Sequence, residues 1–276
     1  MKISDLFTVE GYAGVVTGGA SGLGLGFVEA LAENGAQVTM LDIDPERIER
    51  EVQRLRAKGW EVRGAVVDVT DHAALDRAFD EAAAAYGKID VVFANAGVDP
   101  GPGFLAGWTG ESRPRNPEGA LEAYSDARWE RVININLNGV FATLRAAARH
   151  MKPRKFGKII VTTSLAALIN ESVIGAAYMA SKAAAAHLMR NVALELAAYN
   201  ITVNAIAPGF FVTNIGGGHA HDAGVQERIA KVVPMHRVGF PDDMKGLALF
   251  LASPASAYVT GVQIPIDGGW MLGDAD

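Results

Sequence analysis

Two residues in the stretch Ala176-Ala177-Tyr178-Met179-Ala180-Ser181-Lys182 have the types and spacing to move a proton. Tyr178 and Lys182 are four residues apart, so a helix stacks them on one face. A free tyrosine titrates near ~10 and is a poor base at neutral pH. An ammonium one turn away favours the phenolate and lowers that value. Such a pair could take a proton from an alcohol or return one to a ketone. Alone, Tyr-x-x-x-Lys is also a common pattern on helical surfaces, so its meaning depends on what positions it.

Short apolar runs alternate with helical patterns along the whole chain. Runs at Ala13 to Thr17, Val38 to Leu41, Val62 to Val67, Ile89 to Ala94, 158–163, 201–206 and 262–266 read as strands. Helical patterns fall at Phe27 to Glu33, Pro45 to Lys58, Asp71 to Tyr86, 126–151, 176–199 and 242–252. Continuous apolar strands separated by amphipathic helices imply a parallel sheet covered on both faces. With no repeat and no linker, residues 1–276 read as one α/β domain: a Rossmann-like, doubly wound parallel sheet of about seven strands. Such sheets bind ligands outside the carboxyl ends of their strands.

The loop after the first strand is Thr17-Gly18-Gly19-Ala20-Ser21-Gly22-Leu23-Gly24. Glycines let backbone approach a phosphate, and the following helix N-terminus offers N–H donors and partial positive charge. The spacing T-G-x-x-x-G-x-G differs from the usual dinucleotide pattern G-x-G-x-x-G. Asp42, eighteen residues beyond Gly24 at the end of the second strand, can bind a ribose 2′-hydroxyl and would repel a 2′-phosphate. No Arg or Lys lies in the glycine loop or directly after Asp42, so NAD is expected over NADP.

These motifs together resemble the short-chain dehydrogenase/reductase family over nearly the whole chain. The family's glycine motif matches residues 17–24, including Gly18, Ser21, Gly22, Leu23 and Gly24. Its acid after the third strand matches Asp68-Val69, implying a contact of Asp68 with adenine. Its Asn-Ala-Gly turn matches Asn95-Ala96-Gly97, with Ala94 where the family often has a second Asn. Its helix-four asparagine matches Asn136, its serine Ser164, its Pro-Gly Pro208-Gly209, its threonine Thr213 and its C-terminal motif Asp267-Gly268-Gly269. The resemblance implies Tyr178 as acid or base and Lys182 holding the nicotinamide ribose. It implies Ser164 orienting the substrate oxygen, Asn136 holding a water between Lys182 and solvent, and Thr213 anchoring the carboxamide. It also implies a homotetramer.

Two segments depart from a minimal chain. Val98 to Tyr124 carries four prolines and five glycines with Phe104 and Trp108; it emerges on the cofactor side, where long loops are usually functional or disordered. The second, within 209–240, runs from Phe210 to His236 with Gly216-Gly217-Gly218 as a hinge for closure. Phe104, Trp108, Phe210, Phe211 and Met235 would line an apolar pocket, so a fairly hydrophobic cyclic or aromatic secondary alcohol or ketone is expected as the small-molecule substrate.

Composition excludes other classes. The net charge of −6 without a basic block argues against nucleic acid. No apolar stretch approaches the ~20 residues of a membrane span. The absence of cysteine removes disulfides and thiolate chemistry and fits a reducing compartment. Residues 1–10 contain an early acid and no apolar run, unlike a signal peptide, so a cytoplasmic protein is expected. His219, His221 and Asp222 suggest a metal site, but loop histidines without further ligands usually face solvent, so no metal is expected. Two readings compete with the alcohol dehydrogenase: a 3-oxoacyl thioester reductase, which would want NADPH, and a non-catalytic dinucleotide-sensing protein, which would commonly lack the tyrosine or lysine.

Overall fold

The computed structural model describes residues 2–98, 101–107 and 113–273. Seven parallel strands form one sheet: β1 (Ala13–Thr17), β2 (Gln37–Asp42), β3 (Val62–Val66), β4 (Val91–Ala94), β5 (Gly157–Thr162), β6 (Ile201–Pro208) and β7 (Gln263–Ile266). Their spatial order is β3-β2-β1-β4-β5-β6-β7. The order reverses between β1 and β4, which pair in parallel from Gly14↔Val91 to Val16↔Phe93. That reversal opens the crevice at which doubly wound sheets bind ligands.

Two apolar layers flank the sheet, because β1, β4 and β5 are buried at every residue. One layer packs α3 (His72–Tyr86), α5 (Gly139–Met151) and α6 (Ala176–Ala197). The other packs α1 (Gly22–Ala32), α2 (Pro45–Arg56) and α8 (Pro241–Ala252). No helix among the described residues is long and apolar enough to cross a membrane.

Three elements differ from the sequence-based expectation. α1 starts at Gly22, five residues before Phe27. Helical glycine costs about 1 kcal/mol against alanine, but Gly26 lets α8 approach: a Cβ there would meet the Pro241 carbonyl at 3.3 Å. The helix expected over 126–151 is two, α4 (Asp126–Ile133) and α5, joined by a π-helical turn over Asn134–Asn138. Such turns inside α-helices occur frequently at functional sites. A short helix expected as loop, α7 (Ala223–Ala230), is capped by Asp222, whose carboxylate accepts from the Val225 N–H at 2.8 Å. Asp222 is thus used as a helix cap, and His221 pairs with Asn214 at 3.0 Å.

One core residue is costly to the fold. Lys158 on β5 is 4% exposed, and its ammonium reaches only Ser256 Oγ, at 3.4 Å, among the described residues. Burial pulls its pKa down to about 8 from 10.5. Between those values the unfolded chain holds the extra proton, so this group's contribution to stability rises with pH there and is most unfavourable below it. Lys158→Met is therefore expected to raise the melting temperature at neutral pH by several degrees, for a gain on the order of 2 kcal/mol. Calorimetry showing an unchanged or lower midpoint would contradict this account of Lys158.

Candidate functional site

The glycine loop leaves β1 at the reversal of strand order. Gly18 and Gly22 have φ of +64° and +53°, a region that favours glycine. A Cβ on Gly24 would strike the Gly18 carbonyl and the Asn95 amide, so the loop closes tightly only with glycine there. Ser21, the N-cap of α1, makes no side-chain cap hydrogen bond; the first-turn N–H groups of α1 thus have no capping side chain to compete with an anion. Thr213 stands over this turn, its Cβ 3.3 Å from where a Gly22 Cβ would lie. These features fit a dinucleotide pyrophosphate.

Asp42 ends β2 with its carboxylate turned toward the loop. Oδ2 accepts from the Ala20 N–H at 3.0 Å and Oδ1 from the Asp44 N–H at 3.3 Å. A carboxylate offers about four acceptor positions, which leaves capacity for ribose hydroxyls. Arg47, the next basic residue along the chain, pairs with Asp44 at 3.0 Å. Asp68 is exposed and forms a turn, Oδ1 accepting from the Thr70 N–H and hydroxyl at 2.8 Å each. Val69 is buried beside Gly139, where a Cβ would come within 2.7 Å of it.

A hydrogen-bond chain ties this loop to the lysine. Thr17 Oγ1 accepts from the N–H groups of Asn95 (3.0 Å) and Ala96 (3.2 Å). Asn95 Nδ2 donates to the Thr17 and Gly18 carbonyls, and Thr162 Oγ1 donates to Asn95 Oδ1 at 3.0 Å. Lys182 Nζ then donates to the Thr162 carbonyl at 2.9 Å. Lys182 is 4% exposed; burial pulls its ammonium down to about 8. Its Nζ lies 5.5 Å from the centre of the Tyr178 ring, so the helical spacing does bring the pair together.

Asn136 and Gly97 complete this corner. A Cβ on Gly97 would sit 3.3 Å from Asn136 Oδ1 and 3.6 Å from Lys182 Nζ. The Asn136 side chain, fully buried, accepts from the Val98 N–H at 2.8 Å and donates to the Val98 carbonyl at 3.3 Å. Its carboxamide thus clamps the turn after β4, because the π-helical turn carries it into reach of that backbone. Ser164 Oγ, at the end of β5, accepts from the Ala166 N–H at 3.2 Å, leaving its O–H to donate outward.

Residues 18–271 match the family model described as Enoyl-(Acyl carrier protein) reductase, a model of the short-chain dehydrogenase/reductase family. The chain is a short-chain dehydrogenase/reductase. It is similar to 5-keto-D-gluconate 5-reductase of Escherichia coli (strain K12), 33% identical over 270 residues that cover 98% of this chain and 99% of the relative. It is also similar to galactitol 2-dehydrogenase (L-tagatose-forming) of Cereibacter sphaeroides, 33% identical over 274 residues, covering 99% and 100%. Among solved structures it resembles a gluconate 5-dehydrogenase from Burkholderia cenocepacia J2315 in complex with NADP and tartrate. That match has a TM-score of 0.85 at 34% identity and covers 98% of this chain and 99% of the other.

On the substrate side this dehydrogenase/reductase departs from the apolar pocket expected. Phe211 is 8% exposed and belongs to the core layer of α1 and α8, its ring against Gly239. Phe210 packs with the satellite cluster of Val212, Ile229, Val233 and Val238. Met235 is 64% exposed beside the Gly268 turn, and Trp108 lies outside the described residues. Pro208 pairs with Ile266, and Gly209 packs so closely on Asp267 that a Cβ would come within 2.8 Å.

Phe104 does line a cleft, of about 710 Å³, with Arg115, Leu121, Glu171, Ile174 and Met179. The cleft exists because residues 102–105 run antiparallel to 172–174, with N–H donors of Gly103 and Leu105 on the Val173 and Ser172 carbonyls at 3.0 Å each. Sequence reasoning missed Arg115 and Glu171, since no local pattern announces that pairing. It also passed over Thr162, although it sits at the carboxyl end of β5, where the position alone marks it.

Proposed function

We propose that this chain is an NAD-dependent alcohol dehydrogenase/ketone reductase, interconverting a secondary alcohol and a ketone with residues 1–276 acting as one cofactor-binding and catalytic unit. The observation that carries the reading is the buried Lys182 ammonium, fixed on Thr162 and 5.5 Å from the Tyr178 ring, at the carboxyl end of the sheet beside the glycine loop. NAD, bound over the glycine loop, supplies the hydride acceptor. Tyr178 takes the hydroxyl proton in oxidation and returns it in reduction. The Lys182 ammonium favours the phenolate by its charge. Ser164 donates its O–H to the substrate oxygen, and Asn136 holds the turn that carries Gly97 beneath Lys182. Gly18, Ser21, Gly22, Leu23 and Gly24 cradle the phosphates; Asp42, Asp68, Val69, Asn95, Ala96, Pro208, Gly209 and Thr213 complete the cofactor groove.

The substrate reading combines two features of the larger cleft. Phe104, Leu121, Ile174 and Met179 offer an apolar wall for a carbon frame, while Arg115 and Glu171 offer polar contacts. The relatives act on polyols and sugar acids by their names. A polyhydroxylated alcohol or ketone, cyclic or open-chain, therefore fits better than a purely hydrophobic one. Exposed Phe141 on α5 and Leu194 on α6 support a homo-oligomer, a tetramer by family resemblance, working in the cytoplasm.

Nicotinamide absorbance with NAD⁺ and a panel of secondary alcohols tests the reading. Turnover with diols and polyols is expected; inertness with both NAD⁺ and NADP⁺ across the panel would defeat it. A second reading, NADP dependence, is favoured by the Burkholderia relative's complex. Asp42→Asn decides between them, because it keeps an acceptor but removes the charge that repels a 2′-phosphate. The ratio of kcat/KM for NAD⁺ over NADP⁺ is expected to fall by about tenfold or more. An unchanged ratio would remove Asp42 as the discriminating group.

A further inference from the structure

Among the described residues, Glu171 is the one that lines both the larger cleft and a second one. The second cleft, of about 340 Å³, is lined by Arg113, Asn170, Glu171, Val232 and Trp270. It joins the segment after Ser164 to the segment carrying Val232 and to the C-terminal turn. Glu171 lies midway in sequence between Ser164 and Tyr178. Met179 and Ala176, on the first turn of α6, line the larger cleft beside it.

The backbone around Glu171 is held on two sides. Its carbonyl accepts from the Ile174 N–H at 3.3 Å, and the next residue, Ser172, takes a bond from Arg113 Nη2 on its hydroxyl at 2.8 Å. Gly103 fits against Val173 only without a side chain, since a Cβ would lie 2.5 Å from the Val173 carbonyl carbon. The carboxyl group itself has no partner among the described residues. Burial alone pushes its pKa up to about 7. A carboxyl group in its neutral form offers one O–H donor and an acceptor, the pair that a substrate hydroxyl can satisfy both ways. An unpaired, partly buried polar group is costly until a ligand pairs it.

Building on the dehydrogenase reading above, we propose that Glu171 is a specificity-determining residue that hydrogen-bonds a second hydroxyl of the substrate, selecting vicinal diols and polyols over alcohols with one hydroxyl. Glu171 lines the cleft from the segment that connects Ser164 to Tyr178, so the hydroxyl it holds is assigned to the substrate. The apolar wall of Phe104, Ile174 and Met179 then packs the carbon frame.

The test compares a cyclic vicinal diol with the matched cyclic mono-alcohol on the wild-type protein, Glu171→Gln and Glu171→Leu, with saturating dinucleotide. Wild type is expected to prefer the diol. Glu171→Leu should lose that preference by about tenfold or more through the KM of the diol, with the mono-alcohol changed far less, because a site built to bond a hydroxyl discriminates by it. Glu171→Gln, which keeps a donor and an acceptor, should restore most of the preference. An equal loss on both substrates, or an undiminished preference in Glu171→Leu, overturns the inference and leaves the dehydrogenase reading standing. Absence of turnover by wild type with every alcohol defeats the dehydrogenase reading instead. In that case the thermal shift produced by the diol still decides: a shift in wild type that Glu171→Leu loses supports the role, and an equal shift or none rejects it.

Discussion

Tyr178→Phe is expected to lower kcat for alcohol oxidation by roughly a thousandfold, within the span that general acid–base catalysis supplies. The substitution removes one oxygen and leaves the ring, so packing around α6 and the 5.5 Å approach of the ring to Lys182 Nζ are retained. Dinucleotide affinity should stay close to that of wild type, because the contacts of the glycine loop and of Lys182 do not pass through the phenolic oxygen. Single-turnover formation of reduced nicotinamide, alongside a dinucleotide titration by fluorescence, separates the two quantities. Wild-type turnover by this variant would remove Tyr178 from the proton path.

Lys182→Met is expected to have two effects of opposite sign. Activity should fall by roughly a hundredfold or more, since a preorganised charge in a buried site contributes about 3 kcal/mol to a developing anion. The ligand-free protein should become more stable. Burial holds the Lys182 pKa near 8, below its ordinary 10.5, so the unfolded chain binds the extra proton between those values and this group destabilises the fold most at neutral pH and below. Removing it should raise the melting temperature by a few degrees, the gain being reduced by the Thr162 carbonyl left without its donor. A variant both inactive and less stable would mean that Lys182 serves mainly as a structural tie.

The sign of this trade-off bears on why the pair is set so deep. An ammonium held on one backbone carbonyl at the end of β5, with Asn95 bonding both the glycine loop and Thr162, cannot be displaced without disturbing the cofactor groove. Stability is given up at one residue so that charge, ring and groove share one frame.

Much of this frame was legible in the residues alone. The strand–helix alternation gives the parallel sheet, and the spacing of Tyr178 and Lys182 survives because both lie in the first turns of α6, where helical geometry alone brings them together. The bonding of Asn136 to the Val98 backbone was not legible, since the π-helical turn has no marker in side-chain periodicity. The start of α1 was missed because Gly22, Gly24 and Gly26 read as loop; only the tertiary neighbours, Pro241 of α8 against Gly26 and Gly18 and Asn95 against Gly24, show why glycine stands in a helix there. The burial of Phe211 was not legible: apolar residues in a loop satisfy a core as readily as a ligand, and its contact with Gly239 arises only in the folded chain. Glu171 carries no local pattern, and its setting arises from the pairing of 102–105 with 172–174.

The pH dependence of kcat/KM for alcohol oxidation, measured on wild type and Tyr178→Phe at saturating NAD⁺, bears most directly on the acid–base pair. The wild-type profile should rise with a slope of about one to a plateau, as one ionisation in the free enzyme demands, and the residual activity of Tyr178→Phe should be flat across the same range. A variant that keeps the wild-type slope would show that some other group ionises to drive the reaction.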